Sequence, residues 1–153
     1  MKIEDHLIQG KKLFLDTAPV IYYVENNPQY QSLVNYVFEN LDSGLLSAVT
    51  SPITLSECLV YPYRLGLTEL KEDFIDLIVS GVNVEFIQID ELIAKQASQL
   101  RAKYNLALLD SLQISVAIVA KCDVFLTNDI QLKRVTELPI LVLSDFLAGG
   151  KNG

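Results

Sequence analysis

Short apolar runs of four to six residues, rich in β-branched and aromatic side chains, alternate along this chain with longer segments whose apolar residues recur every three or four positions. That alternation is the signature of βαβ units, in which buried strands pair in parallel and helices cover the sheet. Five runs read as strands: residues 12–16 (KLFLD), 45–49 (LLSAV), 84–89 (VEFIQI), 124–127 (VFLT) and 140–143 (ILVL). Between them, residues 29–41 place Leu33, Val34, Val37, Phe38 and Leu41 at helical spacing, and residues 92–104 do the same with Leu92, Ile93, Gln96, Leu100 and Tyr104. Ser51-Pro52 opens a further helix with a cap and a first-turn proline. Residues 108–120 are apolar on most sides, which fits a helix buried between the sheet and its neighbours. The expected order is strand then helix throughout, without internal repeat.

Half of the 153 residues are hydrophobic, enough for one buried core and too few residues for two domains of ordinary size. Residues 1–147 therefore read as a single domain, and the AGGKNG stretch, residues 148–153, as a flexible tail. No apolar run reaches the roughly 18 residues of a membrane span, and the start, MKIEDHLIQGKKLFLD, has acids where a signal peptide needs an apolar stretch. A soluble, cytoplasmic protein is expected. Cys58 and Cys122 lie in apolar helix-like segments without CxxC spacing, as buried free thiols do. The formal charge of −7 argues against a basic nucleic-acid grip, yet carboxylates gathered around a divalent cation handle phosphates with the ion's charge.

In open parallel sheets, sites form beyond the carboxyl ends of the strands where the strand order reverses. Asp16 closes the first strand before Thr17-Ala18-Pro19, and Asp129 follows the fourth strand in the same way. The two meet if those strands are neighbours. Glu57 falls one or two turns into the helix after the second strand, and Asp110 near the start of the buried helix before the fourth. Four carboxylates brought together repel one another unless a cation neutralises them, and oxygen ligands of this kind suit Mg²⁺ or Mn²⁺. Such a site lowers the pKa of bound water and stabilises charge on a phosphate, which implies phosphodiester hydrolysis.

Each acid also has an ordinary structural explanation. Asp16 is placed to cap a helix beginning near Pro19; Thr54-Leu55-Ser56-Glu57 matches a capping box; Asp110 complements a helix dipole; Asn128-Asp129 forms a turn or cap. Asp90 reads as an N-cap, Asp145 lies on the far side of the sheet, and Asp123 is at the wrong end of its strand.

The segments LFLDTAPVIYYVE, SPITLSECLVYPYR, LLDSLQISVAIVAKCDVFLTND and ILVLSDF resemble, in order and over nearly the whole chain, the PIN-domain family. The likeness is greatest to the toxin nucleases of VapBC-type (type II) toxin–antitoxin pairs, the VapC ribonucleases. The resemblance implies a Rossmann-like α/β/α sandwich with a five-stranded parallel sheet. It matches Asp16, Glu57, Asp110 and Asp129 to the four family acids, and Thr17, Ser51, Thr127 and Asn128 to the polar residues that flank and orient them. It further implies RNA cleavage with Mg²⁺ or Mn²⁺, a homodimer, and a cognate antitoxin partner. Ala18 departs from the asparagine common at its position, which implies altered metal affinity more than lost activity.

Tyr22, Tyr23, Tyr30, Tyr36, Tyr61 and Tyr63 suit core edge or dimer interface more than base stacking. Arg64, Lys133 and Arg134 are the bases nearest the acid-bearing segments, with surface solvation the ordinary fate of most; His6 has no assignable role. An aspartyl phosphatase needs a second acid where Ala18 stands, and a receiver domain needs an acid pair and a late lysine that are missing. The remaining alternative is a catalytically weak or inactive PIN-like module that binds RNA or a protein partner.

Overall fold

The computed structural model describes residues 2–147; the expected flexible tail, 148–153, lies outside the described residues. Strands β1 (Lys12–Leu15), β2 (Ser47–Thr50), β3 (Val84–Phe86), β4 (Val124–Thr127) and β5 (Ile140–Val142) form one sheet in the order β3-β2-β1-β4-β5. Every pairing is parallel. The chain steps outward from β1 to β3, then returns to lay β4 on the other side of β1. The strand order therefore reverses between β1 and β4, where a crevice opens at their carboxyl ends.

Helices α1 (Thr17–Val24), α2 (Gln31–Asp42), α3 (Pro52–Leu65), α4 (Thr68–Ser80), α5 (Glu91–Tyr104) and α6 (Leu108–Val119) fill the first three connections in pairs. Strand-then-helix order holds, with two helices where a single one would suffice. Helix α4 has no counterpart among the sequence expectations. Its residues include four acids, but Leu70, Phe74, Leu77 and Ile78 recur at helical spacing and face the core, Phe74 and Ile78 fully buried and Leu70 and Leu77 partly so. Gly66, left-handed at φ 67°, ends α3 and lets the chain turn into α4. Expected strand ends shift by a few residues: β2 begins at Ser47, and β3, on the sheet edge, stops at Phe86 where its pairing with Thr50 ends.

Two apolar layers hold the sheet, as the period-2 direction of strand side chains requires. Leu13, Leu15, Ala48, Val124 and Leu126 face a core completed by Val34, Val37, Phe38, Phe74 and Ile78. Phe14, Val49 and Phe125 face the opposite core with Ile93, Leu100, Ile114 and Ala117. Phe14 and Phe125 are register partners on adjacent strands, and their rings stack with centroids 5.0 Å apart. Helix α6 is buried over most of its length, as expected of a helix lodged between the sheet and α5.

Asp90 caps α5 as the sequence indicated, its carboxylate accepting from the Ile93 N–H at 2.9 Å. Asp90→Ala is expected to lower stability by about 1 kcal/mol, read as a shifted midpoint in urea unfolding without a changed slope. Asp123 accepts from the Lys12 N–H at the amino end of the sheet, and Asp145 pairs with Lys133. Cys58 is a buried free thiol and Cys122 a half-buried one. Burial raises both, Cys122 to about 12, so neither carries thiolate reactivity. Among the described residues no helix is long and apolar enough to cross a membrane.

Candidate active site

Pairing β1 with β4 sets the positions of the first and last acids, because the register matches Leu15 to Leu126. Asp16 follows directly and donates its N–H to the Leu126 carbonyl at 3.0 Å. It stands at the N-cap of α1, but no side-chain capping bond forms. Its carboxylate is engaged elsewhere: Thr127 Oγ1 donates to Asp16 Oδ2 at 2.7 Å, and Gln113 Nε2 to Oδ1 at 3.5 Å. Asp129 lies two residues beyond β4, where its carboxylate accepts from the Gln131 N–H at 3.0 Å, so it caps a short 3-10 turn while facing the crevice.

Helix α3 starts at Pro52, and Ser51 is its cap, accepting from the Ile53 N–H at 3.1 Å and from that of Thr54 at 3.5 Å. This excludes the capping-box explanation of Glu57. Thr54 lies inside the helix, buried, with its hydroxyl donating to the Leu15 carbonyl. Glu57, one turn further on, accepts instead from Thr17 Oγ1 at 2.6 Å. Asp110 sits in the first turn of α6.

All four acids line a single cavity of about 390 Å³, together with Thr17, Ala18, Ile21, Tyr22, Thr127 and Asn128. Among the described residues, no Lys, Arg or His lines it. Arg64 lines a different cavity with Ser56, Leu59, Val60 and Tyr63; Lys133 pairs with Asp145; Arg134 reaches the Asn105 carbonyl. None of the three basic residues singled out in the sequence therefore faces the acids.

The electrostatics follow from that imbalance. Burial pushes the Asp16 carboxyl above the usual carboxylate range, opposed by the Thr127 hydroxyl and the Thr17 N–H; the charge of Glu57 adds to the rise, and Gln113 offsets part of it. Asp110 is pushed up to about 6, by burial first and then by Asp16, Asp129 and Glu57 in turn. Each of the other three acids is felt at Asp110, which is the electrostatic form of their convergence.

The donors are oxygens only and concentrate negative charge without a balancing cationic side chain, which is the chemistry of a site for a hard divalent cation. Among the described residues, however, no three His, Cys, Asp or Glu side chains stand at metal-ligand spacing. Glu57 Oε1 is held by the Thr17 hydroxyl and Asp129 Oδ1 by the Gln131 N–H.

Of the residues expected to orient the acids, Thr17 and Thr127 bond to them directly. Ser51 acts at one remove, donating to Gln113 Oε1. Asn128 lines the cavity but spends its hydrogen bonds elsewhere: it donates to the Tyr22 hydroxyl at 2.9 Å and accepts from the Ser144 N–H, tying α1 to the segment after β5. Tyr22 stacks on Tyr30 and Tyr23 on Phe38, so these rings are core edge, with Tyr22 also lining the cavity. Tyr61 and Tyr63 are exposed. Gln113 and Thr54 escaped the sequence reading. The available signal for Gln113 was a lone amide in an apolar helix, three residues after Asp110 and hence on its face.

The model of the PIN domain family matches residues 13–138, a span that contains all four acids. The chain belongs to the PIN domain family. Among solved structures, this PIN fold is similar to Rickettsia felis VapBC2 bound to a DNA fragment from its promoter, at 20% identity and a TM-score of 0.65, covering 86% of this chain and 98% of that one. It is also similar to DNA-bound VapBC from Salmonella typhimurium, at 21% identity and a TM-score of 0.62, covering 87% and 98%. A third likeness is to VapC20 of Mycobacterium tuberculosis, a Sarcin-Ricin loop cleaving toxin, at 14% identity and a TM-score of 0.61, covering 74% and 86%. At these identities the likeness is one of fold. Comparison with curated proteins gives no match. Ala18 presents only a methyl group to the cavity.

Proposed function

We propose that this PIN-domain protein is an endoribonuclease dependent on Mg²⁺ or Mn²⁺, and the toxin of a toxin–antitoxin pair. The observation that carries the nuclease reading is the meeting of Asp16, Glu57, Asp110 and Asp129, from four separate segments, in one cavity that, among the described residues, no basic side chain lines. Those four carboxylates are the residues that would hold the cation. When bound, a divalent ion supplies Lewis acidity toward a phosphoryl oxygen and lowers the pKa of its water. The chain's own part is orientation: Thr127 and Gln113 hold the two oxygens of Asp16, and Thr17 holds Glu57.

The toxin reading is supported by fold neighbours that are themselves VapBC complexes and a cleaving toxin. With it come a cognate antitoxin as partner, a homodimer, a cytoplasmic location, and residues 1–147 acting as one PIN unit. Purified protein incubated with labelled RNA and Mn²⁺ tests the activity, with EDTA and the Asp16→Asn and Asp110→Asn variants as controls. Cleavage that EDTA and both variants leave untouched refutes the site. If wild-type protein binds RNA without cutting it at any Mn²⁺ concentration, the chain is a binding module. Co-expression with the product of a neighbouring short reading frame tests the toxin role, the expected result being a stable complex in which cleavage is suppressed.

A further inference from the structure

We propose that Gln113 is a positioning residue for Asp16, its amide locked in one orientation by Ser51 and Thr54 so that its NH₂ group serves the carboxylate; this rests on the metal-dependent nuclease reading above. Gln113 is 2% exposed, in the buried middle of a largely apolar helix. Burying an amide there is costly unless its donors and acceptor are satisfied, and the partners present dictate how. The Ser51 oxygen already accepts from two N–H groups at the start of α3, so its proton points outward to Gln113 Oε1. The Thr54 proton is committed to the Leu15 carbonyl, so that hydroxyl accepts from Gln113 Nε2, at 2.9 Å. With its carbonyl on Ser51 and one N–H on Thr54, the amide has its second N–H left for Asp16 Oδ1, and the flipped orientation would set donor against donor at Ser51.

The consequence is a chain of contacts from the α3 cap through α6 to the strand-end acid. Thr127 fixes one oxygen of Asp16 at 2.7 Å, and Gln113 restrains the other through a longer contact of 3.5 Å, so rotation of the carboxylate is opposed from both sides. Gln113 itself does not line the cavity, and it acts through Asp16 rather than on a substrate. Groups of this kind typically carry about a tenfold or greater share of metal affinity.

The test is titration of Mn²⁺ alone into the full-length wild type, Gln113→Met, Ser51→Ala and Asp16→Asn proteins by calorimetry, with circular dichroism to establish folding. Gln113→Met keeps the length of the side chain and removes its hydrogen bonds; it is expected to weaken Mn²⁺ binding about tenfold in a folded protein. Ser51→Ala keeps Gln113 but frees its amide, and a smaller weakening is expected. A folded Gln113→Met protein with wild-type Mn²⁺ affinity, alongside an Asp16→Asn protein that no longer binds, overturns the positioning role and leaves the metal reading standing. If Gln113→Met does not fold, Ser51→Ala decides, and wild-type affinity there overturns the proposal. Wild-type affinity in Asp16→Asn overturns the metal reading and this proposal with it.

Discussion

Asp16→Asn protein is expected to fold as the wild type does and to cleave RNA at least about a hundredfold more slowly. The substitution is isosteric, and the new amide oxygen can keep the stronger of the two hydrogen bonds, the one Thr127 donates at 2.7 Å, while the contact to Gln113 is lost, so the fold is expected to hold. What changes is charge. The carboxylate at the meeting of β1 and β4 becomes a neutral amide, a poor ligand for a hard cation, and a metal centre contributes several kcal/mol to stabilising charge on a phosphoryl group. A loss of about 3 kcal/mol corresponds to about two orders of magnitude in rate. Initial rates on labelled RNA across a Mn²⁺ series check this. The loss should not be recovered at saturating Mn²⁺, and the Asp110 carboxyl should drop from its raised value because one of its repelling neighbours has gone. Full activity in a folded Asp16→Asn protein would falsify the assignment of the cavity.

A second large effect is expected in stability against pH. Metal-free protein should lose stability as the pH rises from about 4 to about 6. Asp110 binds its proton up to about pH 6 in the folded protein, whereas in the unfolded chain it releases it near the ordinary 3.8. Between those values the native state holds more protons than the unfolded state, so stability falls with rising pH. Asp16 is shifted in the same direction and adds to the slope. Above about pH 6 the repulsion is complete, and there Mn²⁺ or Mg²⁺ should raise the melting temperature, since an ion that binds only the folded state stabilises it by mass action. Below pH 6 the stabilisation should shrink, as protons and cation compete for the same oxygens. Thermal unfolding with EDTA and with Mn²⁺, at several pH values, gives both curves, and Asp110→Asn should flatten the metal-free one. A melting temperature indifferent to both pH and cation across this window would show that the acids do not form one coupled site.

Some elements could be placed from their residues alone. β4 occupies Val124–Thr127 as the run VFLT indicated, because four consecutive buried apolar or β-branched residues bounded by Asp123 and Asn128 leave little alternative. Ser51-Pro52 marked the start of α3 for a similar local reason. Helix α4 was missed although its pattern is present: Leu70, Phe74, Leu77 and Ile78 recur at helical spacing and pack on the core, between four acids that give the segment a charged look. The Thr54-Leu55-Ser56-Glu57 motif misled in the other direction: a capping box needs Thr54 at the helix boundary, and Ser51 had already taken that place.

What the sequence determined by itself was the succession of strands and helices, the parallel sheet they imply, and a short list of acids at strand ends and helix starts. These are local properties, set by periodicity, caps and chain direction. Whether Asp16 and Asp129 met depended on β4 lying beside β1, and whether Glu57 and Asp110 joined them depended on how α3 and α6 cross the carboxyl ends. Gln113 shows the division most clearly. In the sequence it is an amide interrupting an apolar helix, and only the fold brings Ser51, Thr54 and Asp16 to its two ends. Hydrogen bonds between residues about sixty to a hundred positions apart leave no trace in local pattern, because burial and partner geometry, rather than neighbouring residues, decide them.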